Sequence, residues 1–319
     1  MRLILIGAVL LVGLGYGGAK GYLYYKTSQG IESAVLMMSP HVDLKYEGIS
    51  STISGELTID NVSMRLAGYR DEISIGRLGI KTPNFLALLS LSELSSGSSG
   101  GKAPEYFGLI AEEIKIAADA DYYRDFYETS IAAIAPADLG QGGVQCVGKY
   151  GYSPRTLKAL GYNSLTTSIS MIFRQVDNNY ITEMGIDIAD MVDFDMTVSM
   201  AGNLMSGIAR GTNYRPKLSE LNMKITDRSL NSRVEKYCTK LGLTPEQILR
   251  AHLNALQYMG KAQGIVFDKY VIDPYKQYLA GKPTLIVTAK PREPLDLERI
   301  SRYKPSDVPA LLNLEAVAL

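Results

Sequence analysis

The stretch RLILIGAVLLVGLGYGGAK, residues 2–20, decides how the chain is read. Gly13 to Gly18, GLGYGG, match the G-x-G-x-x-G pattern of a dinucleotide-binding turn. A strand-like apolar run precedes them, and Glu32 lies near the position of a ribose-binding acid. Three features oppose that reading. The glycines lead into AKGYLYYK, which has no helix-start signal. Glu32 sits in TSQGIESAVLMMSP, which reads as a helix after Thr27 or Ser28, not as the end of a second strand. Arg2 followed by apolar or small residues from Leu3 to Ala19 has the charge-then-apolar order of a signal peptide or signal anchor.

At about 17 residues the run is just long enough for a bilayer-spanning helix, helped by Lys20 and Lys26 and by interfacial Tyr16, Tyr22, Tyr24 and Tyr25. Gly13, Gly17 and Gly21 recur every fourth residue, a small-residue face for close helix approach. The expectation is a retained signal anchor over residues 1–26, although GGA before Lys20 also fits a cleavage site. Lys20 and Lys26 on the exported side run against the positive-inside rule. The corresponding location is the inner membrane, crossed once, with the bulk of the chain in the periplasm.

Nearly 300 residues follow, enough for one large or two modest domains. The 33 basic and 33 acidic residues cancel, so no basic excess favours nucleic acid as a partner. Cys146 and Cys238 either pair in a disulfide closing a loop of about 90 residues or stay as two buried thiols. His41 and His252 are isolated from each other and from the cysteines, so no zinc ligand set is expected.

Period-two patterning begins after Pro40. Val42, Leu44 and Tyr46 share one face, as do Ile49, Ile53, Leu57 and Ile59, and after the Asp60–Asn61 turn Val62, Met64 and Leu66 take the even positions. Ile73, Ile75, Leu78 and Ile80 form a further strand with one slip at Gly76 or Gly79, and FLALLSLSEL reads as a short helix. SSGSSGGKAP, residues 95–104, is a Ser/Gly-rich loop that separates a first unit (27–94) from a second (105–319).

The second unit repeats the logic. Ser153 and Pro154 start a helix, and Asp177 to Asn179 mark a hairpin. Ile186 and Ile188, then Phe194, Met196, Val198 and Met200, alternate with polar partners, and Leu221, Met223 and Ile225 continue the pattern. Asp227 or Ser229 caps a helix to about 241, and Thr244-Pro245-Glu246 opens another over 245–260. PTLIVTAKP and LLNLEAVAL are strands near the end of the chain. The fold class expected is α+β: a curved, mainly antiparallel sheet with covering helices, plus the N-terminal membrane helix.

No nucleophile elbow, H-E-x-x-H or P-loop occurs, and no catalytic residue, cofactor or metal site is expected. Asp187, Asp190, Asp193 and Asp195 resemble a metal or two-carboxylate set. In a strand, however, 187, 193 and 195 share a parity opposite to Ile186 and Phe194, which is the pattern of a solvated polar face. Met184, Met191, Met196, Met200, Met205 and Met223 crowd one β block. They are either ordinary core or the lining of an apolar groove, since methionine repacks around irregular guests. The candidate groove takes Ile53, Leu57, Ile59, Ile73 and Ile75 from the first unit. From the second it takes Ile186, Ile188, Phe194, Met196, Val198 and Met200.

YEGISSTISGELTIDNVSMRL (46–66), a polar turn, and EISIGRLGIKTPNFLALLSL (72–91) resemble the amino-terminal unit of AsmA/TamB-like envelope proteins. The resemblance covers residues 1–91 and implies an envelope protein without a catalytic motif. Together these readings point to a non-catalytic envelope protein that binds lipid or acyl chains or supports envelope assembly. The alternative is an interaction or scaffold subunit of a membrane complex, built on a filled core.

Overall fold

The computed structural model describes residues 2–95, 105–131, 144–147, 152–177, 179–202 and 217–319. Its strands form a large antiparallel sheet accompanied by helices, and the chain divides into two compact units, Met1–Glu112 and Glu113–Leu319. Of the Ser/Gly-rich stretch, residues 96–104 lie outside the described residues.

The first unit begins with helix α1, Arg2–Met38. Strands β1 (Val42–Lys45), β2 (Gly48–Ser51), β3 (Glu56–Leu66) and β4 (Glu72–Lys81) follow, then α2 (Phe85–Ser95) and the start of β5 (Tyr106–Ala117). β3 pairs antiparallel with β1 and β2 on one side and β4 on the other, placing Ile49 opposite Ile59 and Leu57 opposite Ile80. The apolar positions change parity at Asn61, from Leu57 and Ile59 to Val62 and Met64. There the backbone takes φ 51° and the β3–β4 pairing is interrupted between the Asp60–Arg77 and Val62–Ile75 pairs, with the same register on both sides. An Asn tolerates this left-handed conformation where a bulkier residue would strain.

α1 is one continuous helix that runs through the glycines and on past the tyrosines to Met38, so Gly13–Gly18 lie within a helix and not at a strand-to-helix turn. Each interior glycine weakens a helix by about 1 kcal/mol; packing farther along offsets part of that. Leu23, 1% exposed, joins Phe85 and Leu88 of α2 in a small core over Leu57 and Ile80. The expected membrane helix at residues 3–19 is corrected: among the described residues, no helix is long and apolar enough to cross a membrane. From Lys20 onward α1 carries Lys26, Gln29 and Glu32, with Tyr22, Tyr24 and Tyr25 exposed and Leu23 turned into the unit's own core. The side chains of residues 1–16 lie outside the described set.

The second unit takes up the end of β5, then α3 (Asp121–Phe126), α4 (Val144–Val147) and α5 (Pro154–Ala159). The Ser153 hydroxyl accepts from the Thr156 N–H, capping α5 with Pro154 in the first turn as its sequence requires. β6 (Ser164–Val176), β7 (Asn179–Ile188), β8 (Val192–Ala201) and β9 (Lys217–Asp227) form an antiparallel meander. Helices α6 (Leu230–Lys240), α7 (Pro245–Ala262) and α8 (Lys269–Leu279) come next. β10 (Thr284–Ala289), the two-residue β11 (Leu295–Asp296), α9 (Val308–Leu312) and β12 (Leu314–Ala318) complete the unit. The order β6–β7–β8–β9–β10–β12 leaves β12 at the edge, with β11 pairing the start of β9.

Among the described residues, three cores hold this unit. Leu157, Val234, Cys238 and Ile248 anchor the first, joining α4, α5, α6 and α7 to the Met191 turn. Tyr278, Leu285 and Val287 form the second, where α8 lies on β10 and β12. Leu218, Ala289, Val308 and Leu312 form the third, beneath α9.

Candidate functional site

The antiparallel registers turn the alternating sequence of β6 to β9 into a grid with two unlike faces. Met171 pairs with Met184, Met184 with Met196, and Met196 with Met223, so four methionines stand in one row across four adjacent strands. One step along, Ile169, Ile186, Phe194 and Ile225 make a parallel row. On the other side, Phe173, Thr182, Val198 and Leu221 make a third.

The opposite face is ionic. Asp195 meets Lys224 at 3.7 Å, and the Arg228 guanidinium donates to Asp193 at 3.0 Å and to Asp187 at 3.2 Å. The aspartates that resembled a metal set are therefore held by cations on a polar face. Asp190 occupies the β7–β8 turn at φ 59°.

Cover is uneven along the apolar face. At its β9–β12 side, Met223 and Ile225 lie against the α8 core, and Val198, Met200 and Leu221 against the α9 core. Ile188 and Val192 join the α5–α7 core. Met171, Met184, Ile186, Phe194 and Met196 are only half-buried and belong to none of these cores, while Ile169 is 38% exposed. A strip centred on β6, β7 and β8 thus stays open among the described residues.

The eleven residues expected to line a groove separate accordingly. Ile186, Phe194 and Met196 fall on the open strip, whereas Ile188, Val198 and Met200 are packed by helices. In the first unit Leu57 packs under α1 and α2, Ile75 is buried, and Ile59 and Ile73 are half-buried. Ile53 is 70% exposed in the β2–β3 turn, where its carbonyl accepts the Phe85 N–H. Met205 lies outside the described residues.

Cys146 of α4 and Cys238 of α6 form a disulfide with a Cα–Cα distance of 5.4 Å, and neither side chain is exposed. The sequence left this pairing open because the two residues stand 92 apart. Among the described residues no group of three or more His, Cys, Asp or Glu is placed to hold a metal ion.

A feature with no sequence motif is a cavity of about 270 Å³ between α6, α7 and α8. Ile248, Leu249 and Leu279 give it apolar walls, and Asn231, Glu235, His252 and Lys276 bring polar groups to it. Burial pushes the His252 imidazole down to about 4, so the ring is neutral at pH 7. Lys276 is paired with Asp273 at 3.1 Å. On α8 itself, Tyr275 and Tyr278 stack at 6.3 Å between ring centroids and pack against the sheet. Burial raises the Tyr275 hydroxyl to about 12, which leaves it protonated and unsuited to act as a base.

A family model described only as "Uncharacterized protein" matches residues 185–319. That segment begins within β7 and contains Met196, Met223 and all three helices of the cavity. No curated protein matches the chain.

Proposed function

We propose that the protein is a non-catalytic binding protein that carries an acyl chain along the methionine row of its second unit, outside the cytosol. The half-open strip Met171–Met184–Met196, flanked by Ile186 and Phe194, carries this reading. Its side chains are flexible and polarisable, and offer neither charge nor strong hydrogen-bonding groups. A surface of that kind accommodates a hydrocarbon in several packings and gains about 25 cal/mol for each Å² it covers. A catalytic reading would need convergent polar groups on the same surface, and the paired charged side chains of β6, β7 and β8 stand on the other face.

The disulfide supports the location, since such bonds persist in oxidising compartments. The resemblance of residues 1–91 to AsmA/TamB-like envelope proteins points the same way.

The test is extraction of the full-length protein in mild detergent, followed by mass spectrometry of the bound lipid. Stoichiometric acyl lipid is expected with the natural chain and is expected to be lost in Met184→Asp and Met196→Asp, which place a charge in the open strip. A folded natural chain without lipid, or lipid retained in both variants, would overturn the reading.

A further inference from the structure

The cavity between α6, α7 and α8 is separate in composition from the open sheet strip, and its chemistry selects a different ligand. Three observations converge. The space, about 270 Å³, lies just below the range of drug-sized pockets, which fits a molecule of fragment size. Its walls are mainly aliphatic, from Ile248, Leu249 and Leu279. His252 sits in this wall half-buried, and among the described residues its ring has no hydrogen-bond partner. The ring nitrogens keep contact with solvent, so a ligand hydroxyl that bonds one of them replaces water while its body covers the aliphatic walls.

Charge narrows the class. Besides His252 of α7, the titratable groups of the lining are Glu235 from α6 and Lys276 from α8. Lys276 takes part in an exposed ion pair with Asp273. Within the lining an anionic ligand would meet the Glu235 carboxylate and would have to draw Lys276 away from Asp273, next to an imidazole that burial keeps neutral. A hydroxyl meets no such penalty. It accepts from the imidazole N–H or donates to its bare nitrogen, while Asn231 adds a neutral amide.

We infer that this cavity is a binding site for a small neutral amphiphile, an aliphatic or aromatic body bearing a single hydroxyl, which bonds His252 and fills the space against Ile248, Leu249 and Leu279. The site lies wholly within the segment shared with the matched family model.

The chain has two histidines, so ring resonances of the full-length protein are assigned with a single His41→Gln variant. The probe is 1-hexanol, with hexanoate as the charged comparator, titrated at pH 7 while His41 and His252 are followed by NMR. Hexanol is expected to shift His252 saturably, leave His41 unmoved and bind at least about tenfold more tightly than hexanoate, the discrimination expected for burying an unpaired charge. Ala280→Phe and Leu249→Trp each fill the cavity and are expected to abolish the shift; retained circular dichroism shows which of them remain folded. A His252 signal that does not respond, a shift that survives in a folded filling variant, or tighter binding of hexanoate would each overturn the inference.

Discussion

Met184 of β7 and Met196 of β8 face each other in register, with Met171 and Met223 as their outer neighbours. Because the inner pair is half-buried and outside the helix-covered cores, it contributes less to stability than a core residue. Met196→Ala should cost about 1 kcal/mol or less, against about 3 kcal/mol for Leu157→Ala, whose side chain is 2% exposed. Urea midpoints with unchanged slopes check this. Equal costs would show that the row is structural core.

The alternation that builds this row is readable in the chain, because Ile186, Ile188, Phe194 and Met196 fall on one parity around a turn. The row itself is not. Pairing Met196 with Met223 depends on the β8–β9 register, and a single-residue slip would place a polar neighbour opposite. For α1 the helical state is legible in the apolar run, but its partner is not: the contact of Leu23 with Phe85 and Leu88 joins residues more than 60 positions apart. The cavity has no local signature at all, since Glu235, His252 and Lys276 come from three helices and meet only in the folded unit.

Cys146 and Cys238 tie the four-residue α4 to α6. A crosslink closing a loop of this length stabilises by about 2–5 kcal/mol, chiefly through the unfolded chain. The double variant Cys146→Ala/Cys238→Ala should lose that amount in denaturant unfolding. Adding reductant under partly denaturing conditions should lower the natural chain to the same midpoint and leave the variant unchanged.

Gly55 holds the β2–β3 turn at φ 86°, and its carbonyl accepts both the Thr82 N–H at 2.8 Å and the Thr82 hydroxyl at 2.9 Å. A Cβ there would stand 2.6 Å from the Asn84 carbonyl carbon and oxygen. Gly55→Ala therefore combines a disfavoured backbone angle with a backbone clash, and should destabilise the first unit by about 2–4 kcal/mol. Hydrogen exchange should show faster opening of β3 and β4, with the β7–β8 amides of the second unit unaffected.

His252 sets a pH dependence of known sign. Its ordinary value is 6.5, and burial lowers it to about 4 in the folded chain. Between those values the unfolded chain holds a proton that the folded chain does not, so stability is complete above pH 6.5 and falls as pH drops toward 4. The full loss is about 3 kcal/mol at most. Burial acts oppositely on Asp227, whose carboxyl is raised, so that acidification favours the folded state over its own lower window. Comparing the natural chain with His252→Gln cancels that contribution. The urea midpoint of the natural chain should fall between pH 7 and pH 4.5 by more than that of the variant, and parallel curves would mean that His252 takes up its proton without opening the helices around it.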